Sequence, residues 1–286
     1  MRSLVLSLLA ALLVLAGCAT TEAPTSTSAP AREASGDFAG LAEAIADERR
    51  GNDAARDAYR HPEETLRFFD VQPNHTVAEY APGGGWYTKI LAPYVSEQGR
   101  YVAVSFRGEQ TGIERLVELL SGFEATYAKR VEQLSGVPAD RITVYHTDSV
   151  PEEAQGTVDR ILIPRMVHNL FRWNIANEEL RGLRKLLKDD GLVGIVQHRA
   201  KPDSPWAYGD GSKGYLREAD VIALMSINGF VLVGKSEINA NPKDTADYEK
   251  GVWTLPPSFR LGDEDREKYA AIGESDRATL LFAKAK

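Results

Sequence analysis

Short apolar runs alternate with longer stretches whose apolar residues recur every three or four positions, and the rhythm holds from residue 77 to about 238 and closes with one more apolar run near the end of the chain. The short runs, at 77–80, 101–106, 142–145, 158–166, 192–197, 230–234 and 278–283, are rich in valine, isoleucine, leucine and aromatic residues and read as seven buried strands. Between the second and third, Ile113, Leu116, Val117, Leu120, Phe123, Tyr127 and Val131 line one side of a long amphipathic helix. Residues 178–188 turn Leu180, Leu183, Leu186 and Leu187 inward and end at Gly191, and residues 219–227 form a further helix stopped by Asn228-Gly229. Strand and helix in alternation predict an α/β fold, a Rossmann-like doubly wound and mostly parallel sheet with helices on both faces.

Two segments stand outside the rhythm. Residues 37–70 have a helical pattern carried by Leu41 and Ile45, then by Pro62 at a first turn followed by Leu66, Phe68 and Phe69, and predict a helical cap ahead of the sheet. Within it Asp53, Arg56, Asp57 and Arg60 lie three or four apart, the spacing of surface ion pairs on a solvated face. Residues 239–277 form a long polar excursion containing Trp253-Thr254-Leu255-Pro256-Pro257, the length and composition of a lid or substrate loop.

The candidate chemistry centres on residues 77–88. A strand carrying Glu79 runs into Ala81-Pro82-Gly83-Gly84-Gly85, and a helical pattern (Trp86, Ile90, Leu91, Tyr94) follows. Glycines in such a turn supply positive φ and let the backbone approach a ligand, while the helix start offers free N–H groups. A plain structural turn is the simpler reading, but three adjacent glycines after a strand carboxylate favour a nucleotide site. The G-x-G-x-x-G spacing of dinucleotide folds is absent. Further sites gather where strands end: Arg165, His168 and Asn169 after the fourth, His198 after the fifth. A histidine there can serve as a base near neutral pH.

Glu79, Gly83 and Gly85 stand at the offsets of acid-x-G-x-G-x-G and resemble motif I of the class I S-adenosylmethionine-dependent methyltransferases, with Ala81 in place of the first glycine. The resemblance implies S-adenosylmethionine as cofactor, its methionine end near Glu79, Gly83, Gly84 and Gly85, and an antiparallel last strand that returns Glu274, Asp276 and Arg277 to the pocket rim. Ser105 stands where that family places an acidic ribose ligand, with Glu109 the nearest carboxylate. Asp148 matches the adenine-contacting position and reads equally as a turn aspartate. From Arg56 onward the chain is similar to bacterial exported proteins described as predicted class I methyltransferases, through residues 82–88, 167–169, 237–242 and 274–277.

The amino terminus agrees with export. Arg2, an apolar core at 4–16 and Leu15-Ala16-Gly17-Cys18 resemble a lipoprotein signal, residues 1–17, with lipidated Cys18 as the sole membrane attachment. By the same analogy Ala19 directs the protein to the outer membrane, facing the periplasm. Residues 18–36, rich in Ala, Thr, Ser and Pro, form a tether, and 37–286 the α/β domain. The net charge of −7, without a dense basic tract, excludes nucleic acid as the main partner. One cysteine and no H-E-x-x-H argue against a metal site, and there is neither a G-x-S-x-G elbow nor a P-loop. The expected function is methyl transfer from S-adenosylmethionine to a small-molecule acceptor that the sequence does not identify. The alternative is a non-catalytic binder of a small ligand on the same fold.

Overall fold

The computed structural model describes residues 36–286. The signal segment, Cys18 and nearly all of the tether lie outside the described residues. Eight strands form the sheet: β1 (Thr76–Tyr80), β2 (Arg100–Ser105), β3 (Ile142–His146), β4 (Val158–Pro164), β5 (Leu187–Ala200), β6 (Leu216–Arg217), β7 (Phe230–Ser236) and β8 (Arg277–Lys284). Their order is β3-β2-β1-β4-β5-β8-β7, with the two-residue β6 paired to the end of β5. Pairs from β3 through β5 are parallel, whereas β8 runs antiparallel to both β5 and β7. With β6 set aside, this is the expected seven-stranded, doubly wound Rossmann-like sheet with an antiparallel last strand.

The alternation of side chains across β1 sets up both faces. Ala78 and Tyr80 join the core under helices Val167–Arg172, Ala176–Leu186 and Glu218–Ile227. Val77 points the other way, into a second core with helices Thr88–Val95 and Phe123–Ser135 and the amino-terminal cap. Glu79 shares its parity with Val77, so it faces Thr88 and Tyr101 rather than Tyr80.

Three expectations need correction. The long helix across 113–131 is two helices, Glu114–Leu120 and Phe123–Ser135, separated at Ser121-Gly122. The first buries none of its residues and lies over the ligand edge, so a continuous apolar stripe concealed a change of direction. The helix expected to reach Lys188 stops at Leu186, and β5 begins at Leu187. Gly191 does not cap that helix: it lies in an irregular part of β5, where a Cβ would come within 2.6 Å of Leu187 Cδ1 and 3.1 Å of the Asp159 carbonyl. The third correction concerns the cap, where Arg60 is buried rather than solvated, as is its neighbour Arg50. Arg50 pairs with Asp57, Lys89 with Asp53, and both Arg56 and Arg60 with Glu274, just ahead of β8.

Candidate functional site

The carboxyl ends of β1, β2, β4 and β5 open onto two adjoining cavities, of about 450 Å³ on the β4–β5 side and about 600 Å³ on the β2 side. Ala81, Pro82, Gly83, Gly84 and Leu116 form a wall common to both. Together they have the size of a site for a cofactor beside a second small molecule.

The turn after β1 shapes that wall. Ala81 (φ +48°), Gly83 (+56°) and Gly85 (+81°) all adopt left-handed conformations. Ala81 therefore holds the backbone geometry that glycine supplies in the resembled signature, at a cost of about 1 kcal/mol for its methyl group. Its N–H donates to the Val104 carbonyl at 2.7 Å. The glycines differ in their surroundings. A Cβ on Gly85 would sit 2.5 Å from Leu134 Cδ1, whereas one on Gly84 would meet nothing within 4 Å. Gly85 is thus favoured chiefly by its φ of +81°, with Leu134 able to give way, while Gly84 leaves open space beside the cavities.

Glu79, Gly83, Gly84, Arg165, His168, Asn169 and His198 all line the first cavity, and Ser105, Gly83, Gly84 and Asn169 line the second. Gly85 and Asp148 line neither. Asp148 lies in the turn after β3, where Arg107 Nε donates to both its oxygens at 2.7 and 2.9 Å, so the expected adenine contact is engaged elsewhere. Glu109 also lines neither cavity. Glu274, Asp276 and Arg277 sit behind the first cavity rather than on its rim. Glu274 accepts from Arg56, Arg60 and Arg277, and Asp276 pairs with Arg199.

Glu79 is 1% exposed, and its Oε2 accepts from the Thr88 and Tyr101 hydroxyls, each at 2.7 Å. Burial pushes its carboxyl up to about 7, against the smaller opposing pull of those donors and of Arg165. His168, in the first turn after β4, packs its ring 5.7 Å from that of His198. His168 Nδ1 lies 3.3 Å from the Gln197 amide nitrogen and 3.4 Å from its oxygen, and His198 Nδ1 is 2.6 Å from Ser275 Oγ. Burial brings His168 down to about 3 and drives His198 well below its ordinary value, with the His168 charge adding to the second shift. Both rings are neutral at physiological pH and hold a proton weakly, which makes them hydrogen-bonding walls rather than the expected base.

Asn169, expected at the site from its place after β4, lines both cavities, and its Oδ1 is buried without a partner among the described residues, a feature sequence reasoning could not show. An orphaned acceptor at the junction is an invitation to a ligand N–H or O–H. Trp86, Tyr87, Arg172, Trp173 and Trp253 complete the first cavity. Trp253 comes from the long excursion, whose path is fixed by Asp244 accepting from the Tyr215 hydroxyl and from the backbone N–H groups of Ala246 and Asp276. Among the described residues no group of acidic, histidine or cysteine side chains can hold a metal ion, and no helix is long and apolar enough to cross a membrane.

No family model and no curated protein matches this chain. Among solved structures it is similar to geranyl diphosphate methyltransferase in complex with SAM, at 15% identity and TM-score 0.49, over 88% of this chain and 92% of that one. It is similar too to a SAM-dependent methyltransferase from Aquifex aeolicus, at 19% identity and TM-score 0.47, over 67% and 92% respectively. The [4+2]-cyclase SpnF matches at 12% identity and TM-score 0.46, over 80% and 82%. Chemistry does not transfer across such distances, so the functional assignment rests on the site itself.

Proposed function

We propose that this protein is an S-adenosylmethionine-dependent methyltransferase acting on a small molecule. The junction of the two cavities carries the reading: the open space at Gly84 admits a ligand against the backbone, and Asn169, whose buried Oδ1 has no partner among the described residues, lines both cavities. These features fit the amino-acid end of the cofactor, with Gly83 and Gly84 beside it. Ser105, Phe106, Phe123 and Tyr127 offer the second cavity to the nucleoside end. Bound there, the cofactor supplies a methyl group already activated on a sulfonium. The protein's part is alignment and exclusion of water, through Trp86, Trp173 and Trp253 around the first cavity. With both histidines depressed in basicity, Glu79, raised to about 7 on the same wall, is the better-placed proton acceptor should the methyl acceptor need one.

The non-catalytic binder remains the second reading because Ser105 stands where a carboxylate would grip a ribose and Asp148 is held by Arg107. Gly84→Val tests the shared premise. It introduces neither a left-handed strain nor a clash, so the urea midpoint should stay unchanged while stabilisation by S-adenosylhomocysteine weakens at least about tenfold. Unchanged stabilisation would sink the placement of the cofactor.

Anchoring in the bacterial envelope through Cys18, with the domain in the periplasm, is part of the same proposal and rests on Leu15-Ala16-Gly17-Cys18. Mass spectrometry of the membrane fraction should find an acylated amino-terminal Cys18. A mature protein beginning at another residue would refute it.

A further inference from the structure

The first cavity carries a surplus of positive charge in a chain whose net charge is −7. Glu79 is the only carboxylate on its wall among the described residues, and that carboxyl is already hydrogen-bonded by Thr88 and Tyr101. Arg165 lines the same wall, and its guanidinium has neither an ion pair nor a hydrogen bond among the described residues. Its backbone is held in the left-handed region, at φ +55°, by an N–H bond to the Val196 carbonyl at 2.6 Å. A large side chain kept in that conformation at a strand end is strain of the kind concentrated at ligand sites.

Behind this wall the imbalance grows. Arg56, Arg60 and Arg277 share the single carboxylate of Glu274. Arg60 is 2% exposed, its guanidinium carbon lies 4.7 Å from the centre of the Trp86 ring, and its two terminal nitrogens are buried without partners. Arg172, also on the cavity wall, stands 5.7 Å from the Trp253 ring, and Arg260 lies 5.2 Å from the same ring, with no carboxylate on either among the described residues. Positive charge on and around the wall of a cleft attracts and orients an anion.

We propose that the first cavity binds a small organic anion with a flat apolar body, an aromatic carboxylate in the simplest case, whose charged group pairs with Arg165 while its body lies among the rings of Trp86, Trp173 and Trp253. Guanidinium matches a carboxylate through paired N–H donors, and an aromatic body would cover the half-buried rings of Trp173 and Trp253 beside the buried Trp86. As the methyl acceptor this anion rests on the methyltransferase reading, but as a ligand it does not. Arg165 and Arg172 line the first cavity and not the second, whose own arginine is Arg130, so a site built on Arg165 and the Trp253 ring lies at the acceptor end.

The test uses the full chain, with benzoate and its neutral analogue benzamide as probes in thermal-shift titrations, and S-adenosylhomocysteine as control. Benzoate should stabilise the protein saturably in the millimolar range and benzamide should not. Arg165→Met should weaken benzoate about 10–100-fold, the loss of a charge-assisted pair, and Arg172→Gln should weaken it less. Ligand-free Arg165→Met should melt no lower than wild type, because like-charge crowding with Arg60 and Arg277 is relieved; a purely structural arginine would give the opposite result. S-adenosylhomocysteine binding should survive Arg165→Met. Equal effects of benzoate and benzamide, or benzoate binding that survives both substitutions, would overturn the proposal. So would loss of S-adenosylhomocysteine alone in Arg165→Met, since the arginine would then serve the cofactor's own carboxylate. If benzoate behaves as described and S-adenosylhomocysteine never binds, the anion site stands and the methyltransferase reading falls.

Discussion

Glu274→Gln is expected to lower the unfolding free energy by about 3–5 kcal/mol, the usual loss when one partner of a buried ionic cluster is removed. Glu274 is 5% exposed and is the common acceptor for Arg56 Nε at 2.6 Å, Arg60 Nε at 3.0 Å and Arg277 at 3.0 Å. Burial alone would raise its carboxyl, but the three guanidiniums together outweigh burial and hold it below the usual range. A glutamine keeps one acceptor oxygen and the shape, yet leaves three cations without a counter-charge. The cluster ties the cap to the segment before β8, so the loss should appear as a lower urea midpoint for the whole domain. A double variant, Glu274→Gln with Arg60→Met, should recover part of it by removing one of the stranded charges. If Glu274→Gln changes stability by less than about 1 kcal/mol, the cluster is not the tie between cap and sheet.

The second large effect is pH-dependent. His168 is 4% exposed and titrates near 3 in the folded protein against 6.5 when unfolded. A histidine depressed in this way contributes stability above its unfolded value, and that stability is lost as pH falls from about 6.5 towards 3. The full loss is about 4–5 kcal/mol at about 1.4 kcal/mol per pH unit. His198, shifted in the same direction, adds to it. Glu79 acts with the opposite sign. Its carboxyl, raised from 4.5 to about 7, contributes stability at low pH that disappears as pH rises through that window, about 3 kcal/mol in all. Between about 4.5 and 6.5 Glu79 offsets one histidine, and below that window the histidines act unopposed. Urea unfolding across this range should show a flatter acid limb in His168→Gln and a steeper rise of stability with pH in Glu79→Gln. Parallel curves for wild type and both variants would show that neither group is buried in the state inferred here.

Much of the frame was legible because its signals are local. Buried strands require continuous apolar residues, so 77–80, 101–106, 142–145 and 278–283 marked β1, β2, β3 and β8 within a residue or two. The glycine turn was equally plain, since positive φ leaves a compositional trace. The break at Ser121-Gly122 was not, because Leu120 and Phe123 continue one stripe whether or not the helix bends. At the site, strand-end placement correctly gathered Arg165, His168, Asn169 and His198 on one cavity. What sequence could not show depends on pairing between distant residues: Asp148 captured by Arg107, buried arginines converging on Glu274, and burial deep enough to make two histidines poor bases. The orphaned Asn169 Oδ1 leaves no sequence signal, because an unmet hydrogen bond is a property of the surroundings and not of the residue.

The central claim is that the paired cavities at the carboxyl edge of β1, β2 and β4 hold S-adenosylmethionine. Calorimetric titration of the purified full chain with S-adenosylhomocysteine tests it most directly, because binding is read without knowledge of the acceptor. Saturable binding to one site per chain is expected, with at least about tenfold weaker binding in Gly84→Val at unchanged stability. No heat of binding in the wild type, or equal affinity in the variant, would contradict it.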